Sequence, residues 1–363
     1  MRLGIFTKKT GGKPSVIQQP CATNQTRVQF RQPGRIGRGL ALLGWLSLAV
    51  SGGNQTALAE EDPFVPQGVW LMETRLVTEI QTQGFTKNGK QGPLLLGLVS
   101  DESLRNQLKG DVTRQSSGVD LTLRWGLGDR WNLALILPYR NLTQHSTLVS
   151  ATTDPAAVST AEAFPEKTIS GLTDVELLSL HRPAFTDRHG LILGYGISVP
   201  ARRRDKALTH LKGLALERPS PSGLVLFHYT FYPNISHSRF DVRATYRYLA
   251  NAILEDADGN TTPLLPARES DVKIGWRQGW GYLEWELQLE QFSTTSNILD
   301  GINQKDGQDA FEGNFLLSYG NLNDLETGPV ALPFKVEAGL GKTLQGFSSP
   351  ATNKVTLAGW LYF

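Results

Sequence analysis

The sequence predicts an all-β fold: a single antiparallel transmembrane β-barrel of about twelve strands, preceded by a cleaved signal peptide. Three observations predict it. Apolar and polar residues alternate with a period of two from Trp70 to Phe363. A basic flank, a short apolar run and an Ala-x-Ala site come before that region. The connections between alternating segments are long and short by turns.

The leader comes first in the chain. Arg31, Arg35 and Arg38 precede the apolar run 39–50, and Ala57 and Ala59 flank Leu58 as the small residues a signal peptidase requires. Residues 1–59 therefore read as a signal peptide with an extended basic leader, 60–68 as a short periplasmic N-terminal segment, and 69–363 as the barrel. The leader holds eight of the 36 Lys and Arg and none of the 34 Asp and Glu, so residues 60–363 have 28 basic against 34 acidic residues, a net charge near −6. A nucleic-acid partner gains no support from that balance. Cys21, the only cysteine, lies in the leader, which excludes disulfides and thiolate metal sites from the mature part. No apolar run reaches 18 residues, so the sequence offers no α-helical membrane span.

From Trp70 the faces separate. Trp70, Met72, Leu76 and Ile80 share one parity, and Glu73, Arg75, Glu79 and Gln81 the other. Alternate side chains on a strand point to opposite faces, so one face is oily and one charged. The division recurs where Trp131, Leu133, Leu135 and Leu137 oppose Asn132, Ala134 and Arg140, and where Leu283, Trp285, Leu287 and Leu289 oppose Glu284, Glu286 and Glu290. Twelve segments share the pattern: 69–83, 117–126, 131–141, 171–182, 190–200, 223–232, 238–249, 270–277, 281–292, 311–319, 333–342 and 353–363. Most are long enough to cross a bilayer at a tilt, which takes about 9–11 residues.

The connections after the first, third, fifth, seventh and ninth segments are long, and those after the second, fourth, sixth and eighth are short. Long extracellular loops and tight periplasmic turns produce that rhythm when both termini are periplasmic. The tenth connection, 320–332, is longer than the rhythm requires. Trp125 and Trp131 flank one tight turn and Trp276 and Trp280 another, as expected of an aromatic girdle at the membrane boundary. The chain closes on Leu361 and Phe363, a terminal aromatic strand resembling the signal read by the barrel-assembly machinery. The partners expected are outer-membrane lipids, that machinery and small-molecule solutes. Oligomeric state stays open.

Trp125–Leu133 running into Leu137-Pro138-Tyr139, Ser170–Val175, and Gly196–Pro200 resemble recurring phrases of the outer-membrane barrel family named after the meta-pathway of phenol degradation. Thr173 stands where that family's pattern has glycine, and Ala201–Arg204 replaces its Pro-Thr-Gly continuation. The resemblance covers about 120–205. It implies a barrel fold and, by inference, passive uptake of aromatic or other hydrophobic compounds.

The inward face decides what such a barrel passes. Glu73, Arg75 and Glu79, Arg239, Arg243 and Arg247 on the seventh segment, and Glu284, Glu286 and Glu290 on the ninth are the polar candidates. Opposed charges across water would set up a transverse field; paired, they would brace the bore instead. The sixth segment is apolar on both faces, with Leu224, Leu226, His228 and Tyr232 opposing Val225, Phe227 and Tyr229. With Ile192, Gly194 and Gly196 beside it, the first set forms a candidate hydrophobic patch inside. The same patch could instead pack an inserted loop such as 93–99.

No catalytic, metal or cofactor site is read. A lipid-modifying barrel needs a hydroxyl nucleophile beside an oriented histidine. His228 has no evident partner in the sequence, and Ser236-His237-Ser238 falls in an expected turn. Asp256–Asn260 opens like a calcium loop, but the twelfth position is Ala267 and Glu269 misses it by two. The sequence thus favours a small-molecule channel, with a general polar channel or a non-transporting structural barrel as alternatives.

Overall fold

In the computed structural model, residues 64–363 are described except 100, 163, 187, 202–217, 234–237, 256–260, 305 and 321–332. The leader with Ala57, Ala59 and Cys21, the Ser236-His237 pair and Asp256–Asn260 lie outside the described residues.

Twelve antiparallel strands form a closed ring: β1 Trp70–Phe85, β2 Val112–Gly128, β3 Trp131–Ser146, β4 Lys167–Leu172 continued by Asp174–Phe185, β5 His189–Pro200, β6 Ser222–Phe231, β7 Ser238–Leu249, β8 Glu269–Trp280, β9 Leu283–Thr294, β10 Gln308–Gly320, β11 Phe334–Phe347 and β12 Pro350–Tyr362. Each pairs with its neighbours in sequence, and β1 pairs with β12 from Leu71 opposite Tyr362 to Gly84 opposite Pro350, closing the circle. A closed ring leaves no unpaired edge, the condition for β structure in a bilayer. Among the described residues no helix is long and apolar enough to cross a membrane.

The strands outrun their expected limits at the loop end: β2 begins at Val112 and β3 runs to Ser146. Both faces of that extension are polar, as in Arg114-Gln115-Ser116-Ser117, so the alternation that marks a strand vanishes there although the ladder continues. β4 breaks at Thr173, whose N–H donates to the carbonyl of Pro138 on β3. The N–H that Pro138 lacks would point the same way, so β4 breaks where β3 cannot donate.

Outer-parity side chains stand exposed: Leu193, Tyr195 and Ile197 on β5, Val225 (58%) on β6, and Leu287 and Leu289 (53%) on β9. A continuous aliphatic exterior is stable against acyl chains and not against water. At the turn end aromatics form a belt. Trp70 stacks on Trp125 at 5.4 Å, Trp131 on His181 at 4.3 Å, and Trp276 meets Trp285 edge-on at 4.9 Å.

The long-short rhythm fails at the eleventh connection, which joins β11 to β12 at the loop end through Ser348 and Ser349 alone, with Ser348 at φ 50°. Elsewhere the loops carry structure of their own. Ala252–Glu255, Thr261–Leu265, Ile298–Leu299 and Ile302–Asn303 make a four-stranded sheet. Leu94, Leu95, Val99, Val112, Leu148 and Phe164 pack the first two loops together. Segment 93–99 is therefore spent on that loop core and does not pack on the β6 patch, correcting one expectation from sequence.

Candidate functional site

The bore has two unlike walls. On β3–β6 the inward side chains are apolar: Ala134, Ile136, Leu178, Leu180, Ile192, Leu224 and Leu226 cluster together. The predicted Ile192, Leu224 and Leu226 lie in this patch, all under a tenth exposed. Glycines on β5 make the packing possible. A Cβ on Gly194 would stand 2.9 Å from Leu180 Cδ2 and 3.1 Å from Leu226 Cβ, so leucines from both flanking strands lie across it. The other two predicted members differ. Tyr232 is buried but stands beyond the end of β6, its N–H bonded to the Arg188 carbonyl. His228 belongs to the polar side: its Nε2 lies 3.0 Å from Asp241 Oδ1. No partner for His228 is visible in the sequence; register supplies one, since β6 and β7 run side by side.

From β7 round to β1 the wall is charged. Arg239 Nε donates to Asp241 Oδ2 at 2.6 Å, and Thr230 Oγ1 to Asp241 Oδ1 at 2.9 Å. Arg247 reaches back to Glu176 on β4 at 2.6 Å and forward to Glu269 on β8 at 3.3 Å. The β9 glutamates are not neutralised by the β7 arginines across open water. β8 stands between and supplies their partners, Arg277 to Glu286 at 2.5 Å and Lys273 to Glu290 at 2.9 Å. Glu284 takes Lys335 of β11 at 2.9 Å. On β1, Arg75 pairs with Glu73 at 2.9 Å, and Glu79 faces Lys354 at 3.8 Å. Most of the predicted polar residues are thus knitted into the wall, the bracing arrangement. Sequence reasoning missed Lys273, Arg277 and Lys335, although each sits at inward parity beside an apolar neighbour.

Arg243 is the exception. It is exposed to the bore and makes no hydrogen bond or ion pair among the described residues. Arg243 lies within electrostatic reach of Asp271 on β8 and Glu290 on β9 and, because β7 and β1 oppose each other across a twelve-strand ring, of Arg75 and Glu73 on that far strand. The walls enclose a cavity of about 430 Å³, lined among others by Arg243, His228, Leu226, Ile192 and Leu178.

Both ends of the bore are narrowed. At the turn end Phe64 packs into the apolar cluster, with the Arg182 guanidinium 4.4 Å over its ring. The Val65 N–H donates to Asn132 Oδ1 at 2.6 Å, and Asn132 Nδ2 donates back to the Val65 carbonyl at 2.8 Å. Gly126 lets this segment lie flat: a Cβ there would overlap the Pro66 carbonyl. At the loop end Arg218, off the barrel wall, reaches Asp174 of β4 at 2.6 Å and Glu269 of β8 at 2.7 Å.

No protein-family model matches the chain, and no curated protein matches it. Among solved structures it is similar to an outer membrane channel from Pseudomonas putida F1, at 13% identity over 87% of this chain and 100% of that one, with a TM-score of 0.60. More distant likenesses include the NanC porin (9% identity, 79% and 98% covered, TM-score 0.41) and a Pseudomonas aeruginosa FadL homologue (9%, 81% and 90%, TM-score 0.39). At these identities the likeness is one of fold. This chain has the fold of an outer-membrane β-barrel channel.

Proposed function

We propose that this barrel is a passive outer-membrane channel for small molecules of hydrophobic or aromatic character. One observation carries the reading: a contiguous apolar strip, Ala134, Leu178, Leu180, Ile192, Leu224 and Leu226, faces the interior of a barrel whose exterior is already apolar. One end of the strip seats Phe64, and a path for apolar solutes needs an inward apolar surface of this kind. The residues before 60 are taken as the cleaved export signal, which puts the turn end in the periplasm and the long loops outside. Leu361 and Phe363 stand exposed on the outer face of the last strand, available to assembly factors.

The charged wall favours a second reading, a general polar channel, because the paired side chains from β7 to β1 would order water along half the circumference. Uptake rates decide between them. In porin-deficient cells whose lipopolysaccharide leaflet blocks unaided diffusion, the chain should speed uptake of monoaromatic solutes over sugars of equal mass. Equal acceleration of both would support the polar channel, and no acceleration of either would end the transport reading.

A further inference from the structure

We propose that the bore contains a subsite for small amphipathic organic anions, compounds of the aromatic carboxylate class, with the carboxylate on Arg243 and the apolar body against Ile192, Leu178 and Leu226. The inference rests on the uptake reading and names the solute class within it.

The position of Arg243 carries the argument. Arg75, Arg140, Arg239, Arg247 and Arg277 each face the bore with a carboxylate in hand. Arg243 has none among the described residues and projects into the cavity. In register beside it on β6 is His228, and next to that on β5 is Ile192. Leu226, one inward position along β6, pairs with Thr245, the inward neighbour of Arg243. The cation therefore stands at the seam where the charged wall meets the apolar one. His228 does not compete for the same anion as a free donor at Nε2, because Asp241 holds that nitrogen.

Charge and volume point the same way. The side chains lining the cavity include eight Lys or Arg against six Asp or Glu, a net positive surface for an anion to meet. A volume of about 430 Å³ suits one ring-bearing molecule. The guanidinium fork matches a carboxylate in two parallel hydrogen bonds. Each methylene equivalent buried on the leucine side adds about fourfold in affinity. An inorganic anion would satisfy Arg243 and leave the apolar wall wet; a neutral aromatic would do the reverse. Only a molecule with both parts uses the seam.

The test measures interruption of single-channel current by benzoate, acetate and benzyl alcohol in planar bilayers holding the full mature chain. Benzoate should block at least tenfold more tightly than either of the other two. Arg243→Gln should bring benzoate down to the acetate level without moving benzyl alcohol, and Leu226→Asn should weaken benzoate while leaving acetate alone. Equal block by benzoate and acetate in the unaltered protein overturns the subsite, as does an Arg243→Gln channel that binds benzoate normally. If Arg243→Gln does not assemble, the three-solute comparison on the unaltered protein decides. Faster cellular uptake of neutral aromatics with no benzoate preference would sink the subsite and leave the uptake reading standing. If no solute is taken up, calorimetric titration of benzoate into the detergent-held barrel settles the subsite separately: binding supports it, and none overturns it.

Discussion

Asn132 grips Val65 with both ends of its amide, accepting from the backbone N–H at 2.6 Å and donating to the carbonyl at 2.8 Å. A side chain here does what a neighbouring strand would do, and it does so with no measurable exposure. The segment that enters the turn end is therefore held by one residue's hydrogen bonds as well as by the burial of Phe64.

Asn132→Ala should free that segment. It leaves two backbone groups of Val65 without partners, a loss of about 2 kcal/mol in local stability. Proteolysis near residue 64 should accelerate and single-channel conductance should rise, while the heat-modifiable mobility of the assembled barrel stays unchanged. Unaltered conductance would show that the segment does not obstruct the path.

Neighbouring residues on β6 should answer oppositely to a charge. Phe227 faces out and Leu226 in. Phe227→Arg places a cation among acyl chains at a cost of about 2–4 kcal/mol and should impair assembly. Leu226→Asp puts a carboxylate on the apolar wall of the bore, diagonal to Arg243 rather than among acyl chains, so the barrel should assemble and uptake of apolar solutes should fall. Folding yields in lipid vesicles and cellular uptake measure the two effects, and assembly failure of Leu226→Asp would reverse the assignment of faces.

Arg218→Ala should widen the mouth at the loop end. The substitution takes the guanidinium from Asp174, which is 3% exposed and keeps the backbone N–H of residue 218 at 3.1 Å, and removes the link to Glu269. Conductance should increase and the mouth should turn more attractive to cations. Burial acts to lower the Arg218 pKa, but bonds and charge from Glu269 and then Asp174 outweigh it and hold it above the ordinary guanidinium value. A raised value means the link is at full strength below the ordinary range and is lost only as pH climbs past the higher one. Conductance attributable to Arg218 should therefore show no step between about pH 7 and pH 10, the guanidinium being charged throughout.

The β8–β9 pair should behave as a buried couple. Arg277→Ala leaves Glu286 without its main partner and should cost about 3 kcal/mol in urea unfolding, whereas the double change Arg277→Met with Glu286→Leu should recover most of it. If the single change is as mild as the double, the pair is solvated and contributes little.

The ring of strands was legible because lipid outside and a polar interior on most strands impose a two-residue period that few other folds sustain. It was illegible at Val112–Ser117, where the ladder rises beyond the membrane and both faces are polar. The site was legible in half. Leu224, Leu226 and Ile192 betrayed themselves because β6 is apolar on both faces. Ala134, Ile136, Leu178 and Leu180 obey the same rule, but a short alanine and a pair of adjacent leucines blur the parity. The partners of the glutamates were hidden for another reason: a period of two says which wall a side chain joins, not which strand stands beside it. Register supplied Lys273 and Arg277, and Asp241 for His228. The Phe64 plug had no periodic signal at all, since it is not in a strand.

Trp70 and Phe363 exchange both backbone hydrogen bonds, at 2.8 and 3.0 Å, where the first strand meets the last. Such a seam cannot close until β12 is in place, because β12 supplies its second half. Every earlier hairpin must wait as an open sheet with two sticky margins, and contacts so distant along the chain form slowly. Cover for the unfinished sheet is thus a demand of the circular topology itself, and joining residue 363 to residue 69 by a short tether while cutting at the Ser348–Ser349 hairpin should move that wait to a new place without altering the finished wall.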